Sequence, residues 1–258
     1  MNEALRIAAT GMESQQLLTN VIANNMANVN THGYKRSVVH FQDLIYQTTA
    51  TPGAATNTGN TPVGVQIGSG VRTIAVSKDH AQGNLQSTSS ALDVAVEGEG
   101  FFEVQLPNGD SAFTRNGNFH MDSSGVVVTA DGFPIVGFPT IPVESTTIDI
   151  AADGTVSSTV SGVSTEAGRI ALVRFANPEG LESLGRNLMG ETNASGDARR
   201  GNPGDDGYGT IAQHSLESSN VTIVNEMVDL IAAQRAYELV SKSIRTADEM
   251  LKIANNMR

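Results

Sequence analysis

The side chains of this chain that could do chemistry are its histidines and its spaced carboxylates. The histidines are residues 32, 40, 80, 120 and 214. No two of them have the His-x-x-x-His spacing that places two zinc ligands on one face of a helix, and none stands in a cluster with carboxylates. Asp149 and Asp153 could serve as the acid and base of a glycosidase, but such pairs often arise by chance. We therefore predict no metal site and no catalytic residue.

Two glycine-containing segments resemble parts of ligand loops. Gly98-Glu99-Gly100 resembles part of a dinucleotide-binding loop, which requires a helix after it, but Phe101–Val104 is typical of a strand. Asp205-Asp206-Gly207 lacks the alternating ligands and the terminal glutamate of a calcium loop. The chain also has no cysteine and no Gly-x-Ser-x-Gly nucleophile elbow. These observations predict turns in place of binding loops, no cofactor and no enzymatic activity.

Charge and polarity exclude two kinds of partner. The 16 basic and 27 acidic residues give a net charge of −11, which disfavours nucleic acid because its binding depends on phosphate neutralisation. Residues 14–31 are uncharged, but they include seven Asn or Gln side chains and are too polar to span a bilayer. The first residues lack the basic and apolar regions of a signal peptide. We predict no nucleic-acid partner, no lipid insertion and no cleaved signal peptide.

The N-terminal segment has the apolar spacing of a long helix from Asn2 to about Val29. Positions three or four residues apart form a seam of the coiled-coil type, and they are Leu5, Ala8, Met12, Gln15, Thr19, Ile22, Met26 and Val29. Gly33 is suited to a left-handed stop. No charge occurs between Glu13 and Lys35, so the helix is poorly suited to bulk water. It packs either on its own domain or against neighbouring subunits.

The C-terminal segment predicts a second long helix that begins near Thr222. A repeat of three and four residues follows it, at Ile223, Met227, Leu230, Gln234, Tyr237, Ser241, Ile244, Asp248 and Leu251. A helix of about 34 residues is about 50 Å long, which exceeds the usual need of a domain of this size. The predicted fold class is α+β, with long terminal helices that form a coiled-coil-like pair and a central antiparallel β-rich domain.

The middle of the chain divides by composition. Residues 71–216 alternate strand-like runs with Asn-Gly and Asp-Gly turns, which favours antiparallel hairpins. Residues 36–47 fit either a strand or a short helix. Residues 48–70 have no charge and few large side chains, so they form either a flexible linker or an arm that orders against neighbouring subunits. We predict four segments: an N-terminal helix at 1–35, an extended arm at 36–70, a β-rich domain at 71–216 and a C-terminal helix at 217–258.

The residues of Ile22–Arg36 resemble the N-terminal motif of the bacterial flagellar axial proteins, which build the rod, the hook and the hook junction. Met26 stands where Leu is usual in that motif, and Tyr34 stands where Phe is most common. The same family is resembled at Asp93–Phe102, Phe113–Phe119, Asp122–Gly125, Val128–Gly132, Phe175–Leu181, Gly185–Leu188, Glu191–Thr192, Ser195–Gly196, Leu216–Val221, Met227–Val228 and Gln234–Glu238. Phe113 replaces the commoner Tyr, and His214 stands where the family usually has Gly.

The length of the chain and three of its segments point to one branch of this family. The chain is longer than the short proximal rod proteins and shorter than the hook protein, so its length excludes both. The stretches Phe41–Gln47, Val65–Arg72 and Gln82–Leu85 resemble the distal rod members in particular. The alternative is another axial subunit of the proximal rod or hook type.

The resemblance implies a structural subunit whose copies polymerise into a hollow helical tube that transmits torque from motor to hook. It implies a place in the flagellar basal body across the periplasm and export by the flagellar type III apparatus. Its expected partners are proximal rod proteins, the hook protein, outer ring bushing proteins and the export apparatus. The residues expected at the assembly interface are Leu5, Met12, Leu18, Ile22, Asn24, Asn25, Met26, Asn28, Gly33, Tyr34, Val65, Ile67, Met227, Leu230, Ile231, Gln234, Tyr237, Ile244 and Leu251.

Overall fold

The computed structural model describes residues 2–51, 55–56, 59–60 and 63–256. The chain separates into two compact units, and neither is continuous in sequence. The first unit comprises Met1–Met26, Ser37–Ser77 and Thr222–Arg258. The second unit comprises Ala27–Arg36 and Lys78–Val221. The four segments predicted from the sequence therefore do not coincide with the compact units, and that division stays a prediction about the assembled protein.

Both terminal segments are helical. Helix α1 spans Asn2–Ala27 and helix α2 spans Ile223–Asn256, a length of 34 residues. The sequence predicts Val29 as the end of α1, whereas the helix ends at Ala27 and a turn follows it. No helix in the described part of the chain combines the length and the apolar character that a membrane span requires.

The two helices of the first unit run antiparallel. Asn25, near the end of α1, donates a hydrogen bond from Nδ2 to Oε2 of Glu226, near the start of α2, over 3.3 Å. Nearer the start of α1, a Cβ placed on Gly11 would lie 3.9 Å from Cγ1 of Val240. The α+β prediction, with helices at both termini and an antiparallel β-rich centre, is confirmed. Coiled-coil packing between the helices stays a prediction.

The described part of the first unit also contains six short strands. They are β1 Ser37–Asp43, β2 Tyr46–Ala50, β3 Ala55–Thr56, β4 Gly59–Asn60, β5 Val65–Gly68 and β6 Val71–Lys78. They form three two-stranded sheets, in which β1 pairs with β6, β2 with β5 and β3 with β4. The stretch that fitted either a strand or a helix is thus a strand. Parts of the predicted arm at 52–54, 57–58 and 61–62 lie outside the described residues.

The second unit is built from short strands. They are β7 Leu85–Ser87, β8 Val94–Glu97, β9 Phe102–Gln105, β10 Ser111–Thr114, β11 Phe119–Met121, β12 Val127–Thr129, β13 Ile135–Val136, β14 Thr147–Ile150, β15 Thr155–Val160, β16 Val163–Arg169, β17 Leu172–Arg174, β18 Glu182–Gly185, β19 Leu188–Gly190, β20 Arg199–Gly201, β21 Thr210–Gln213 and β22 Ser215–Glu217. The largest sheet has the order β13-β9-β10-β19-β18, and a second has the order β14-β15-β16. Each described pairing in these two sheets is antiparallel.

Aromatic packing organises the core of the second unit. Phe102 and Phe119 are wholly buried and meet edge to face with ring centroids 5.0 Å apart. Phe113 and Phe175 meet in the same way at 4.7 Å. Such pairs contribute about 0.5–1.5 kcal/mol beyond the burial of their area. Both pairs lie within the second unit of a single chain.

The turns that the sequence predicts are present. Gly109 has a φ of +89° and donates its N–H to Leu106 O over 2.9 Å, which closes the hairpin between β9 and β10. Gly98 and Gly100 also have positive φ, and β9 follows them directly in place of a helix. The turn interpretation of this glycine pair is therefore correct, and the structure lacks the helix that a dinucleotide loop requires.

Candidate assembly site

The residues first considered for chemistry take part in local structural contacts. Oδ2 of Asp153 accepts hydrogen bonds from the Thr155 hydroxyl over 2.9 Å and from NH2 of Arg169 over 2.7 Å. These contacts, led by the backbone hydrogen bond from Thr155, lower the pKa of the Asp153 carboxyl. Asp153 and Arg169 are both about half exposed, so the pair is a solvated ion pair on a hairpin. Among the described residues, no group of three or more His, Asp or Glu is placed to hold a metal ion.

Gly33 of the N-terminal motif meets two demands that other residues cannot. Its φ is +70°, a left-handed conformation that L side chains rarely adopt. A Cβ at this position would lie 2.6 Å from the backbone N of Asn116. The Gly33 N–H donates to Glu217 O over 2.8 Å. The left-handed conformation predicted for Gly33 is confirmed, but Gly33 does not stop the helix, which ends at Ala27. Gly33 instead brings the chain against the strand that ends the second unit.

Lys35 and Glu217 form a buried ion pair in the second unit. Nζ of Lys35 lies 2.6 Å from Oε1 of Glu217, and both side chains are 1% exposed. The same Oε1 accepts the backbone N–H of Gly83 over 2.8 Å, and Nζ of Lys35 also donates to Ala81 O over 2.8 Å. Burial lowers the pKa of the Lys35 ammonium, and the Glu217 carboxylate opposes that shift. Buried charges of this kind are tolerated only when they are paired and hydrogen-bonded.

Arg115 adds a second buried cation to this pair. Its NH1 lies 3.6 Å from Oε2 of Glu217, and the Arg115 side chain is 5% exposed. The guanidinium donates from NH1 to Val96 O over 3.3 Å and from NH2 to Gly98 O over 2.6 Å. It also lies 5.3 Å from the ring centroid of Phe101, within the range of a cation–π contact. We call Lys35, Arg115 and Glu217 the buried ion cluster.

His80 lies in the field of the two cations of this cluster. Its ring packs edge to face against Phe101, with centroids 5.7 Å apart. Burial lowers the pKa of His80 to about 4, and the charges of Lys35 and Arg115 act in the same direction. The imidazole is therefore neutral at pH 7. Protonation of His80 would add a third positive charge beside a single carboxylate.

Backbone contacts tie three passages of the chain together beside the buried ion cluster. Oδ1 of Asn220 accepts the N–H of Arg36 over 2.7 Å. Nδ2 of Asn220 donates to Asp79 O over 2.9 Å and to Ala81 O over 3.1 Å. Asp79 in turn donates its N–H to Arg36 O over 2.8 Å. The segments around residues 33–36, 78–83 and 217–220 are thus fixed to one another within the second unit.

An asparagine of the same motif performs a similar task in the first unit. Asn25 is 1% exposed, and its amide pairs with the backbone of Ser37. Nδ2 donates to Ser37 O, and Oδ1 accepts the Ser37 N–H, each over 2.9 Å. Nδ2 also reaches Oε2 of Glu226, which is 1% exposed. The motif residue Asn25 therefore fixes the start of β1 and one end of α2.

Arg115, Glu217 and Glu226 are not among the site residues predicted from the sequence. Charged residues are seldom buried, and the position of Glu226 in the first turn of α2 indicates only an interaction with the helix dipole. One signal was available. Arg115 stands within Phe113–Phe119 and Glu217 within Leu216–Val221, two segments that carry the family resemblance without a local structural reason for a charge.

The predicted interface residues differ in how exposed their side chains are in the single chain. Four are buried, and they are Ile22, Asn25, Gly33 and Tyr34. Seven are partly buried: Leu5, Met12, Leu18, Met26, Asn28, Leu230 and Ile244. Seven are exposed: Asn24, Val65, Ile67, Met227, Ile231, Gln234 and Tyr237. Leu251 belongs to α2, and its side chain lies outside the described part. These exposures describe the single chain, and the interface itself stays a prediction.

Helix α2 carries a continuous exposed apolar surface over its first turns. We call its members the apolar stripe, and they are Ile223, Val224, Met227, Val228 and Ile231, between 48% and 73% exposed. Glu226 and Ala233, on the other side of the helix, are 1% and 2% exposed. A surface helix normally turns its apolar face inward, and a contiguous apolar surface left exposed marks an interaction site.

The ribbon of β2 and β5 exposes apolar side chains in the same way. Tyr46 is 52%, Val65 is 53% and Ile67 is 45% exposed. Gln47 is paired with Ile67 in the ribbon, and Tyr46 is paired with Gly68. An isolated two-stranded ribbon is marginally stable in water, and its unpaired edges can bind further strands. The ribbon therefore also has the properties of a surface that becomes ordered against neighbours.

Comparisons with known proteins agree with this arrangement. Residues 5–35 match the family described as flagella basal body rod protein. Residues 95–158 match the flagellar hook protein FlgE/F/G D1 domain, and residues 212–257 match the flagellar basal body rod FlgEFG protein C-terminal family.

Individual relatives extend over nearly the whole chain. The flagellar basal-body rod protein FlgG of Buchnera aphidicola (from Acyrthosiphon pisum) is 47% identical over 255 residues, which cover 98% of each chain. The FlgG protein of Caulobacter vibrioides is 45% identical over 260 residues, which cover 99% of each chain. The rod protein FlgF of the same bacterium is 33% identical over 258 residues, which cover 98% of this chain and 97% of FlgF.

Proposed function

The chain belongs to the family of flagellar basal-body rod proteins and is a structural subunit of the distal rod, and we propose that its copies polymerise into a hollow helical tube that transmits torque from the motor to the hook. It is not an enzyme. The alternative, another axial subunit of the proximal rod or hook type, is less supported. In Caulobacter vibrioides the FlgG protein is 45% identical to this chain and the FlgF protein only 33%.

The apolar stripe of α2 is the observation that carries the proposal. Its five side chains are all at least 48% exposed in the single chain. Burial of one such side chain contributes about 1.5–3 kcal/mol. A stripe of this kind is stabilised when a neighbouring copy covers it, because the neighbour removes the apolar surface from water.

The helical form of the assembly follows from the kind of contact. A surface that binds a different surface on the next copy makes a head-to-tail contact, which forms an open helix when the rotation does not close into a ring. Under this proposal the terminal helices, with residues 1–35 and 217–258, line the inner tube. Residues 71–216 form the outer domain, and residues 36–70 form an arm between subunits.

Partners and location belong to the same proposal. The neighbours of the tube are proximal rod proteins, the hook protein and the outer ring bushing proteins, and the subunit reaches them across the periplasm. The flagellar type III export apparatus delivers it without removal of a signal peptide. The absence of charge between Glu13 and Lys35 supports a helix that is covered after assembly.

The arm is proposed to stiffen the rod. Its described part forms the β2–β5 ribbon, whose apolar side chains are exposed in the single chain. Replacement of residues 48–70 by a Gly/Ser sequence of equal length should give curved or poorly ordered rods, because a flexible linker cannot pack between neighbours. Electron microscopy of isolated basal bodies gives the readout. Straight rods with equally ordered subunits would contradict the role of the arm.

The helix interface is tested by charge. Leu230→Asp, Tyr237→Asp and Ile244→Asp each place a carboxylate in a helix–helix seam and should stop rod assembly while the second unit stays folded. Asn225→Asp is the matched control, because it adds the same charge at an exposed position outside the predicted seam of α2. Rod formation in the cell and protease resistance of the β-rich unit are the measurements. Normal rods from all three seam variants would refute the proposed interface.

A further inference from the structure

The second unit has a small cavity beside the N-terminal motif. Its volume is about 210 Å³, and Tyr34, Lys35, Lys78, Arg186 and Asn187 are among the residues that line it. We call this cavity the cationic pocket. It holds three basic side chains, and no carboxylate is among the described residues that line it.

Two of the three cations are not offset by an acid in the described contacts. Lys35 is paired with Glu217 in the buried ion cluster. Nζ of Lys78 lies 4.4 Å from the ring centroid of Tyr34 and donates to Lys35 O over 3.2 Å. Burial lowers the pKa of the Lys78 ammonium, and no carboxylate opposes that shift. An anion placed beside Lys78 would stabilise its charged form.

Arg186 occupies a backbone position that suits other residues better. It stands with Asn187 at the tip of the hairpin between β18 and β19, and the two residues have φ of +54° and +59°. Turns of this type favour Asn and Gly, whereas a long side chain in the left-handed region is strained. Nδ2 of Asn187 donates to His32 O over 2.9 Å, which holds the hairpin against the N-terminal motif. Arg186 is exposed and is among the residues that line the pocket, and its guanidinium carbon lies 5.9 Å from the ring centroid of Phe133.

The size of the pocket restricts what it can bind. Sites for drug-sized molecules and cofactors have volumes of about 300–1,000 Å³. A cavity of about 210 Å³ is suited to a single side chain. The planar guanidinium of Arg and the ammonium of Lys both favour a carboxylate, which Arg can bind through two hydrogen bonds.

We propose that the cationic pocket receives a carboxylate of a second copy of this chain. The inference rests on the proposed polymerisation and deepens it by naming one contact between subunits. The charge of the chain supports the choice of occupant, since its 27 acidic residues exceed its 16 basic residues by 11. A pocket on one copy and a carboxylate elsewhere on the next form a head-to-tail contact, as an open helix requires.

The decisive variant is Arg186→Asn in the purified full-length chain. Asn removes the charge and is favoured in the left-handed region, so the second unit should unfold at an equal or higher temperature than the wild type. Self-association, measured by sedimentation velocity over a range of protein concentrations, should weaken by about tenfold. Lys78→Met keeps the apolar stem and should weaken association in the same direction.

A matched control separates the pocket from net charge. Arg199→Gln removes one positive charge from another exposed arginine of the same unit and should leave association unchanged. A photoreactive residue in place of Ser183, which lines the pocket, should crosslink to an acid-containing peptide of a second copy. Mixed ¹⁵N-labelled and unlabelled chains distinguish this product from a crosslink within one chain.

Each other outcome overturns the inference in a recognisable way. Assembly of the wild type with no greater loss in the pocket variants than in Arg199→Gln would contradict the pocket contact alone. No assembly of any protein, the wild type included, would contradict the proposed function as well. If inorganic phosphate raises the melting temperature of the wild type but not of Arg186→Asn, while both assemble equally, the pocket binds a free anion and not a second copy.

Discussion

Charged side chains are usually exposed and apolar side chains are usually buried. The buried ion cluster and the apolar stripe depart from this rule in opposite directions. Lys35, Arg115 and Glu217 are charged, yet each side chain is at most 5% exposed. Val224 and Val228 are apolar, yet they are 73% and 60% exposed. The buried charges are paired with one another within one chain. The exposed apolar surface is the part of the chain that the proposed assembly would cover.

The largest effect is expected where the buried ion cluster loses its only acid. Glu217→Gln keeps the shape of the side chain but leaves the charges of Lys35 and Arg115 buried without a counter-charge. We expect the free energy of unfolding of the second unit to fall by about 3–5 kcal/mol. The change in the free energy of unfolding is measured by chemical denaturation, with hydrogen exchange of the β9 amides as the readout. Glu182→Gln, at an exposed position, should change stability by less than about 0.5 kcal/mol; equal losses in the two variants would show that burial of the charges does not matter.

A backbone substitution tests the motif beside the cluster. Gly33→Ala must adopt a φ of +70° and bring its Cβ within 2.6 Å of a backbone nitrogen. We expect a loss of about 3 kcal/mol in the free energy of unfolding. The new Cβ and the backbone nitrogen of Asn116 both belong to fixed parts of the chain, so neither can move aside as the end of a flexible side chain could. Gly132→Ala is the control, because it has a φ of +84° but nothing within 4 Å of the added Cβ. That variant should lose only about 1 kcal/mol, and a similar loss in both would remove the steric part of the argument.

The pH dependence of the second unit tests the field of its buried cations. The pKa of His80 is about 4 in the folded chain and 6.5 in the reference state. Between these values the unfolded chain binds a proton that the folded chain does not, so stability is full above pH 6.5 and falls as the pH approaches 4. The fall due to His80 is on the order of 2–3 kcal/mol. Thermal melts should therefore show the wild type losing more stability than His80→Gln between pH 6.5 and pH 4. Parallel curves would contradict the shift.

The smallest effect on the monomer is expected in the apolar stripe. Val228→Ser removes apolar surface that is already 60% exposed, so the free energy of unfolding should change by less than about 0.5 kcal/mol. Self-association should nevertheless weaken, because the apolar stripe is buried only in the assembly and Val228→Ser reduces the apolar area buried there. Denaturation and sedimentation of the same preparation give both values. A large loss of monomer stability would show that Val228 already packs within the single chain.

Local sequence patterns predicted the secondary-structure elements but not the contacts between residues that are far apart in the sequence. The helices and the Asn108-Gly109 turn follow from spacing and turn chemistry within a few residues, and both are confirmed. Lys35 and Glu217 are 182 positions apart, so no local pattern could pair them. Strand β1 remained undecided because four of its seven residues are exposed in succession, which removes the alternation of a half-buried strand.

For the predicted interface residues, too, the sequence indicates the motif but not the burial of each side chain. Ile22, Asn25, Gly33 and Tyr34 belong to a motif whose specificity was apparent in the sequence, but their burial within the single chain was not. Spacing alone cannot tell a helix face that packs on its own chain from one that packs on a neighbour, because both require the same apolar period. The exposed fractions of Met227 and Ile231 supply that distinction for α2.

Single-cysteine labelling tests most directly whether the apolar stripe is the contact between copies. The chain has no cysteine, so Ile231→Cys introduces a unique thiol on the stripe, and Val163→Cys introduces one at an exposed position of β16. In the monomer both thiols should react with a soluble maleimide. In the assembled rod the thiol at position 231 should be protected while that at 163 stays reactive. Equal reactivity of position 231 in monomer and rod would contradict the account.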